Sequence, residues 1–440
     1  MTYRETIAYL SSFINYEKKS AYDYGQSFKL ERMVQLASLL GDPQRATRAI
    51  HVAGSKGKGS TCAIIASILT KAGFRAGLYT SPHLVSFRER IRIDGTLISE
   101  ADVGSLMNEV KAAVDAMSGG APSFFEIYTA LAYLYFKKMK ADIVVYETGL
   151  GGRLDATNIV TPLACAITPI SLEHTHILGE TIAKIASEKA GIIKEGAICV
   201  SAPQDSDALG VIETTCAAKN AKLVLVGRDV RFEELRADDE REVFSVKGLF
   251  DEYSNLNMRL LGAHQVVNAA TAIGVIEALR FSGISIRPEA IRKGVASLEW
   301  PGRLELVKGS PRVLLDGAQN QASAKALAAS VKRLFSYRKL VLVLGISNDK
   351  DVKGILKELV PIADSIVLTK SAIAERALAP EEIQKQITPK DKVAVITQSV
   401  PEALAAARAK ASKQDLILVA GSLFVVGEAR RAVKKEKADA

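Results

Sequence analysis

The stretch Gly54-Ser55-Lys56-Gly57-Lys58-Gly59-Ser60-Thr61 sets three glycines and two lysines between an apolar run, Ala49 to Val52, and a helical pattern through Ile64, Ile65, Ile68 and Leu69. A strand, a glycine-rich turn and a helix can hold phosphate. Backbone N–H groups curl around the anion, the helix N-terminus adds its positive end, and Lys58 adds a point charge. The spacing is not the usual G-x-x-x-x-G-K-[ST], because Gly59 follows Lys58 where a metal-binding hydroxyl is expected. A flexible turn with a surface lysine is the bland alternative.

Other chemistry-bearing residues follow strand-like runs. Glu147 ends the apolar run Asp142 to Tyr146, where phosphate-loop proteins keep an acid that helps hold Mg²⁺. Ser81 follows Ala76 to Tyr79 and either faces the phosphates or simply makes the turn. His174 is either a metal ligand or a surface histidine. Gly149, Gly151 and Gly152 permit a tight turn ahead of the polar stretch Arg153 to Asn158. Ile182, Ile185, Ala186, Lys189 and Ile193 repeat at helical spacing, so Lys189 shares the apolar face. Burial would favour its neutral amine. A lysine snorkelling along an apolar groove gives the same pattern.

The elements that must position these groups fall into two α/β units. The expected fold class is α/β: a P-loop-type, mostly parallel sheet ATPase domain over residues 1–299, then a smaller Rossmann-like α/β domain over 300–440. The boundary is set at Trp300-Pro301-Gly302-Arg303, the only tryptophan followed by two helix breakers. Ile7, Leu10, Phe13 and Ile14 predict a first helix, the polar stretch Lys18 to Ser27 a surface loop, residues 123–139 a helix, and residues 229–260 a small antiparallel excursion. Past the boundary, Val313–Leu315, Leu340–Leu344, Ser365–Leu368, Val393–Ile396 and Leu416–Ala420 predict parallel strands.

The 440-residue composition is that of a globular enzyme, 48% hydrophobic and 24% charged. No apolar run is long enough to span a bilayer. The 4 cysteines lack a C-x-x-C pair and read as reduced packing residues of a cytoplasmic protein. The net charge of +9 is concentrated beyond residue 300. Its lysines are scattered without interleaved aromatics, so a small polyanionic substrate explains them better than nucleic acid. The run Arg430, Arg431, Lys434, Lys435, Lys437 reads as a solvated helix end. No coiled-coil seam is present, and a monomer is expected.

Taken together, GSKGKGS (54–60), YTSPHL (79–84), ETGLGGRLDATN (147–158), SLEHTHILG (171–179), SEKAGIIK (187–194), GAHQVVNA (262–269), WPGR (300–303) and DGAQN (316–320) resemble the folylpolyglutamate synthase/dihydrofolate synthase family of Mur-ligase-like enzymes. The resemblance holds in order and over most of the chain. It implies an ATP-dependent ligase that joins L-glutamate to dihydropteroate or a folate through an acyl phosphate. It puts Lys58, Gly54, Gly57, Gly59, Ser60 and Thr61 on the ATP phosphates, Asn268 on adenine, and Arg303 and Asp316 on ATP from the linker and second domain. It also implies one Mg²⁺ on Ser81 and Glu147 and a second on His174, a carbamylated Lys189, pterin contacts at Phe125 and Asp155, and a glutamate or acyl-phosphate role at Gln319. Lys58, Lys189, His174 and Arg303 would be the catalytic group. Three positions depart from the family pattern: Lys56 stands for an asparagine, Glu173 for an aspartate, and Gln319 for a histidine. The rival readings are another Mur-like ligase, acting on a cell-wall precursor, and a P-loop nucleotide binder without ligase activity.

Overall fold

A computed structural model describes residues 1–18, 24–373, 376–388 and 392–438. The strands are β1 (Arg48–Ala53), β2 (Ala76–Tyr79), β3 (Ile91–Ile93), β4 (Thr96–Leu97), β5 (Ile143–Glu147), β6 (Pro162–Ile167), β7 (Ile198–Ser201) and β8 (Lys222–Leu225). They form one sheet in the order β4-β3-β2-β5-β1-β6-β7-β8. It is parallel except at the β3–β4 edge. Strands β1, β2, β5 and β7 are buried at almost every position, as continuous apolar runs in a doubly covered sheet must be.

One face of the sheet is covered by the helices Lys58–Lys71, Ala263–Ala278 and Pro288–Ser297. Gly294 lets two of these backbones touch, since a Cβ there would lie 2.5 Å from the Ile68 Cα. Ser67 Oγ donates to the Gly294 carbonyl at 2.7 Å. The other face carries Phe124–Lys138 and the N-terminal helices. The first helix ends at Ser11, so Phe13 and Ile14 lie beyond it and Ile14 is exposed, unlike the sequence expectation. Residues 19–23 of the expected surface loop lie outside the described residues, and Tyr24–Ser27 form a helical turn.

The excursion is a three-stranded antiparallel sheet of β9 (Arg231–Ala237), β10 (Glu242–Lys247) and β11 (Glu252–Met258). Beyond Trp300 come β12 (Glu305–Val307), β13 (Arg312–Leu315), β14 (Leu340–Leu344), β15 (Ser365–Leu368), β16 (Val393–Ile396) and β17 (Leu416–Ala420). Their order is β12-β13-β17-β14-β15-β16, with β12 the antiparallel edge. The three-stranded sheet is charge-matched to this second unit. Lys308 pairs with Glu240 at 2.8 Å, Arg312 with Asp239 at 3.0 Å, and Arg333 with the fully buried Glu242 at 2.8 Å. Arg430, expected to be solvated, instead bonds both oxygens of Glu305 at 2.9 and 2.8 Å. The side chains of Lys435 and Lys437 lie outside the described residues.

Candidate active site

β1 lies at the middle of the large sheet, flanked by β5 and β6. Chain leaving its carboxyl end enters the crevice where open α/β sheets bind ligands. A cleft of about 450 Å³ opens there, between the large sheet and the second unit. Gly57, at φ +85°, turns the loop into its helix. A Cβ there would lie 2.1 Å from Asn268 Oδ1, and Asn268 is itself held by Gln265 at 2.9 Å. The Ser55 and Lys56 N–H groups both donate to the Pro169 carbonyl at 3.1 Å, which ties the loop to the segment after β6. The first N–H groups of the helix Lys58–Lys71 have no intrahelical partner and are the donors left for an anion.

Three lysines converge on this loop. Lys58 and Lys189 both donate to the Gly54 carbonyl, at 3.0 and 2.8 Å. Two ammonium groups on one oxygen are close neighbours, and at roughly 5 Å and an effective dielectric near 20 they repel by about 3 kcal/mol. Glu173 supplies the opposing charge. Its Oε2 accepts from Lys56 at 2.6 Å and its Oε1 from Lys189 at 3.4 Å. Burial alone would raise the Glu173 pKa, but Lys56, Lys189 and Lys58 together hold it well below the carboxylate range. Lys189 is 2% exposed, on the inward face that periodicity allowed. Burial depresses it to about 8 against the pull of Glu173, with Lys58 and Lys56 adding to the depression. Its helix stops at Ala190, so Ile193 lies past the end.

Glu147 and Ser81 are neighbours: the Ser81 N–H donates to Glu147 Oε2 at 3.1 Å. Burial raises Glu147 to about 7, opposed by Lys58, the Ser81 N–H and Arg303. A buried carboxylate beside a serine is a hard-oxygen donor set suited to Mg²⁺, which takes few protein ligands and keeps waters and phosphate oxygens. No group of three His, Cys, Asp or Glu able to hold a metal occurs among the described residues. The protein's share of such a site is therefore partial. His174 also lines the cleft, but among Lys350, Lys58 and Lys189. Burial lowers it to about 4, Glu173 opposing, so the ring is neutral and able to coordinate.

The second unit contributes Arg303, Asp316 and Gln319 to the same cleft. Asp316 Oδ2 accepts from the Leu304 N–H and Oδ1 from the Ala318 N–H, both at 2.9 Å, so it braces linker and turn together. Gln319 is fixed through its own N–H to Ser323 Oγ at 3.1 Å. Phe125 lies against Gly149, where a Cβ would come 2.6 Å from the ring. Asp155 is completely buried, and its oxygens accept from the Gly149, Leu150 and Thr157 N–H groups and from Thr157 Oγ1. It anchors the glycine turn and is not among the residues that line this cleft.

Sequence reading missed two residues that line the cleft and one that acts on it from outside the lining. Glu173 was noted only as a departure, although it is the counter-ion of the loop. His264 lines the cleft beneath Gly262, with burial and then Arg303 lowering it to about 4. Lys350 bears on His174 from the second unit. The polar strand end Asn348-Asp349-Lys350 was the available signal for the last.

Residues 52–276 match the Mur ligase middle domain, and residues 302–423 match the glutamate ligase domain of Mur ligases. The chain is 39% identical over 422 residues to the dihydrofolate synthase/folylpolyglutamate synthase of Bacillus subtilis, covering 93% of this chain and 96% of that relative. Mycobacterium tuberculosis folylpolyglutamate synthase complexed with ADP and AMPPCP is similar with a TM-score of 0.86 at 35% identity, covering 93% and 96% of the two chains. Escherichia coli FolC in complex with DHPP and ADP gives a TM-score of 0.88 at 30% identity, covering 99% of each.

Proposed function

Because the chain belongs to the folylpolyglutamate synthase/dihydrofolate synthase family of Mur-like ligases, we propose that it uses ATP to join the amino group of L-glutamate to the carboxylate of dihydropteroate or a folate. The observation that carries this reading is the shared cleft. A phosphate loop of the first unit faces Arg303, Asp316 and Gln319 of the second, so nucleotide and acceptor chemistry meet in one place. A carboxylate is a weak electrophile. Its oxygen first attacks the terminal phosphorus of ATP, ADP leaves, and an acyl phosphate forms. The glutamate amine then attacks the acyl carbon, and phosphate departs from the tetrahedral intermediate. Catalysis of both steps is positioning and charge neutralisation.

Within this reading the Gly57–Thr61 turn and Lys58 hold the outer phosphates. Asn268, beside Gly57, orients the nucleoside, and Arg303 offsets the charge that develops between the units. Ser81 and Glu147 would hold one Mg²⁺ and His174 a second; when bound, the metal neutralises phosphate charge. Burial and the depressed Lys189 amine support carbamylation at that residue. The substrates are small molecules, with Phe125 against the pterin and Gln319 toward the acyl phosphate. Purified protein supplied with ATP, Mg²⁺, glutamate and either dihydropteroate or tetrahydrofolate should release phosphate and yield a product one glutamate heavier. Absence of a glutamate-dependent product with either pterin overturns the reading.

A further inference from the structure

Two departures from the family pattern, Lys56 and Glu173, lie 117 residues apart in sequence and form one ion pair at 2.6 Å. Lys56 belongs to the phosphate loop and lines the cleft. Its backbone is pinned by the N–H to Pro169, so only its side chain can swing. That side chain retains 31% exposure, against 2% for Lys189. Glu173 does not depend on Lys56 alone, because its other oxygen reaches Lys189 at 3.4 Å.

We infer that Lys56 is a nucleotide-phosphate ligand held in reserve on Glu173. When the triphosphate enters, the Lys56 ammonium exchanges the Glu173 carboxylate for a phosphate oxygen. Lys56 passes from one anion to another, and Glu173 keeps Lys189 for as long as that amine is uncarbamylated. The exchange gives this chain a loop cation that an asparagine at the same position cannot supply. The inference rests on the ATP reading above.

Calorimetric titration with AMPPCP and ADP, in EDTA and then in Mg²⁺, tests it on three variants whose folding is checked by thermal melting. Lys56→Met should weaken AMPPCP binding roughly ten-fold or more, the cost of one charge-assisted hydrogen bond. Glu173→Gln should bind AMPPCP as tightly as the wild type or more tightly, since nothing must be released. The double variant should match Lys56→Met. Parallel weakening in both single variants marks a structural brace and overturns the inference. So does unchanged affinity in Lys56→Met, or an AMPPCP complex in which Lys56 still bonds Glu173 and touches no phosphate oxygen. Failure of the wild type to bind either nucleotide would instead bring down the ATP reading beneath it.

Discussion

Replacing Asp155 with asparagine separates a loop anchor from a substrate contact. The carboxylate accepts four hydrogen bonds at no exposure: Gly149 and Leu150 N–H at 2.9 Å each, Thr157 N–H at 3.0 Å, and the Thr157 hydroxyl. Asparagine offers one acceptor oxygen. Its best placement keeps Gly149 and Leu150 and turns the amide toward Thr157. The threonine hydroxyl can then accept, but the Thr157 N–H is orphaned. An orphaned buried donor costs about 1–3 kcal/mol, and losing charge assistance on the bonds that remain costs about 1–2 more. Burial pushes the Asp155 pKa up despite these bonds, so removing the charge returns part of that cost. Asp155→Asn should therefore lower unfolding stability by about 2–4 kcal/mol. Urea titration followed by circular dichroism and by the single tryptophan measures it. An unchanged urea midpoint together with weakened pterin binding would refute the anchor argument and make Asp155 a ligand group.

Lys189→Ala should abolish most turnover, with partial rescue by short carboxylic acids that restore an anion in the vacated space; wild-type-like phosphate release would remove the carbamate role. Glu147 has its folded pKa raised from 4.5 to about 7, so its stability contribution is complete below pH 4.5 and is lost as pH climbs to 7. Glu147→Gln, which cannot ionise, should gain up to about 3 kcal/mol over the metal- and nucleotide-free wild type above pH 7 while losing activity; a stability difference flat in pH contradicts the raised pKa. Gly57→Ala combines a left-handed φ with a Cβ placed on Asn268, so ADP binding measured by calorimetry should fall below detection, and wild-type affinity would show that the loop relaxes freely.

Local patterns carried much of this architecture. The strand–loop–helix around Lys58 was legible because glycine spacing and apolar periodicity are properties of a few adjacent residues. The inward turn of Lys189 followed from helical repetition, although periodicity alone left a snorkelling lysine open and the 2% exposure decides it. The pairing of Lys56 with Glu173 was not legible, because partners 117 residues apart leave no local trace. Arg430 illustrates the same limit: a basic helix end reads as solvated until the fold brings Glu305 beneath it. Asp155 sat in a polar, glycine-rich stretch that looked open, and only the tertiary structure revealed that backbone donors consume its carboxylate. The antiparallel edge β12 escaped notice because three residues carry too little pattern.

The charge-matched seam between the three-stranded sheet and the second unit bears on how this polypeptide can be divided. A chain cut at Trp300 would leave the phosphate loop on one fragment and Arg303, Asp316 and Gln319 on the other, so neither piece owns a complete catalytic pocket. The fragments would still carry complementary handles: Asp239, Glu240 and Glu242 on the first, and Arg312, Lys308 and Arg333 on the second. Noncovalent reconstitution would be driven in part by those handles, and it would be favoured in dilute buffer and suppressed by salt. The seam is thus a place where a split reporter of this enzyme could be tuned by ionic strength alone.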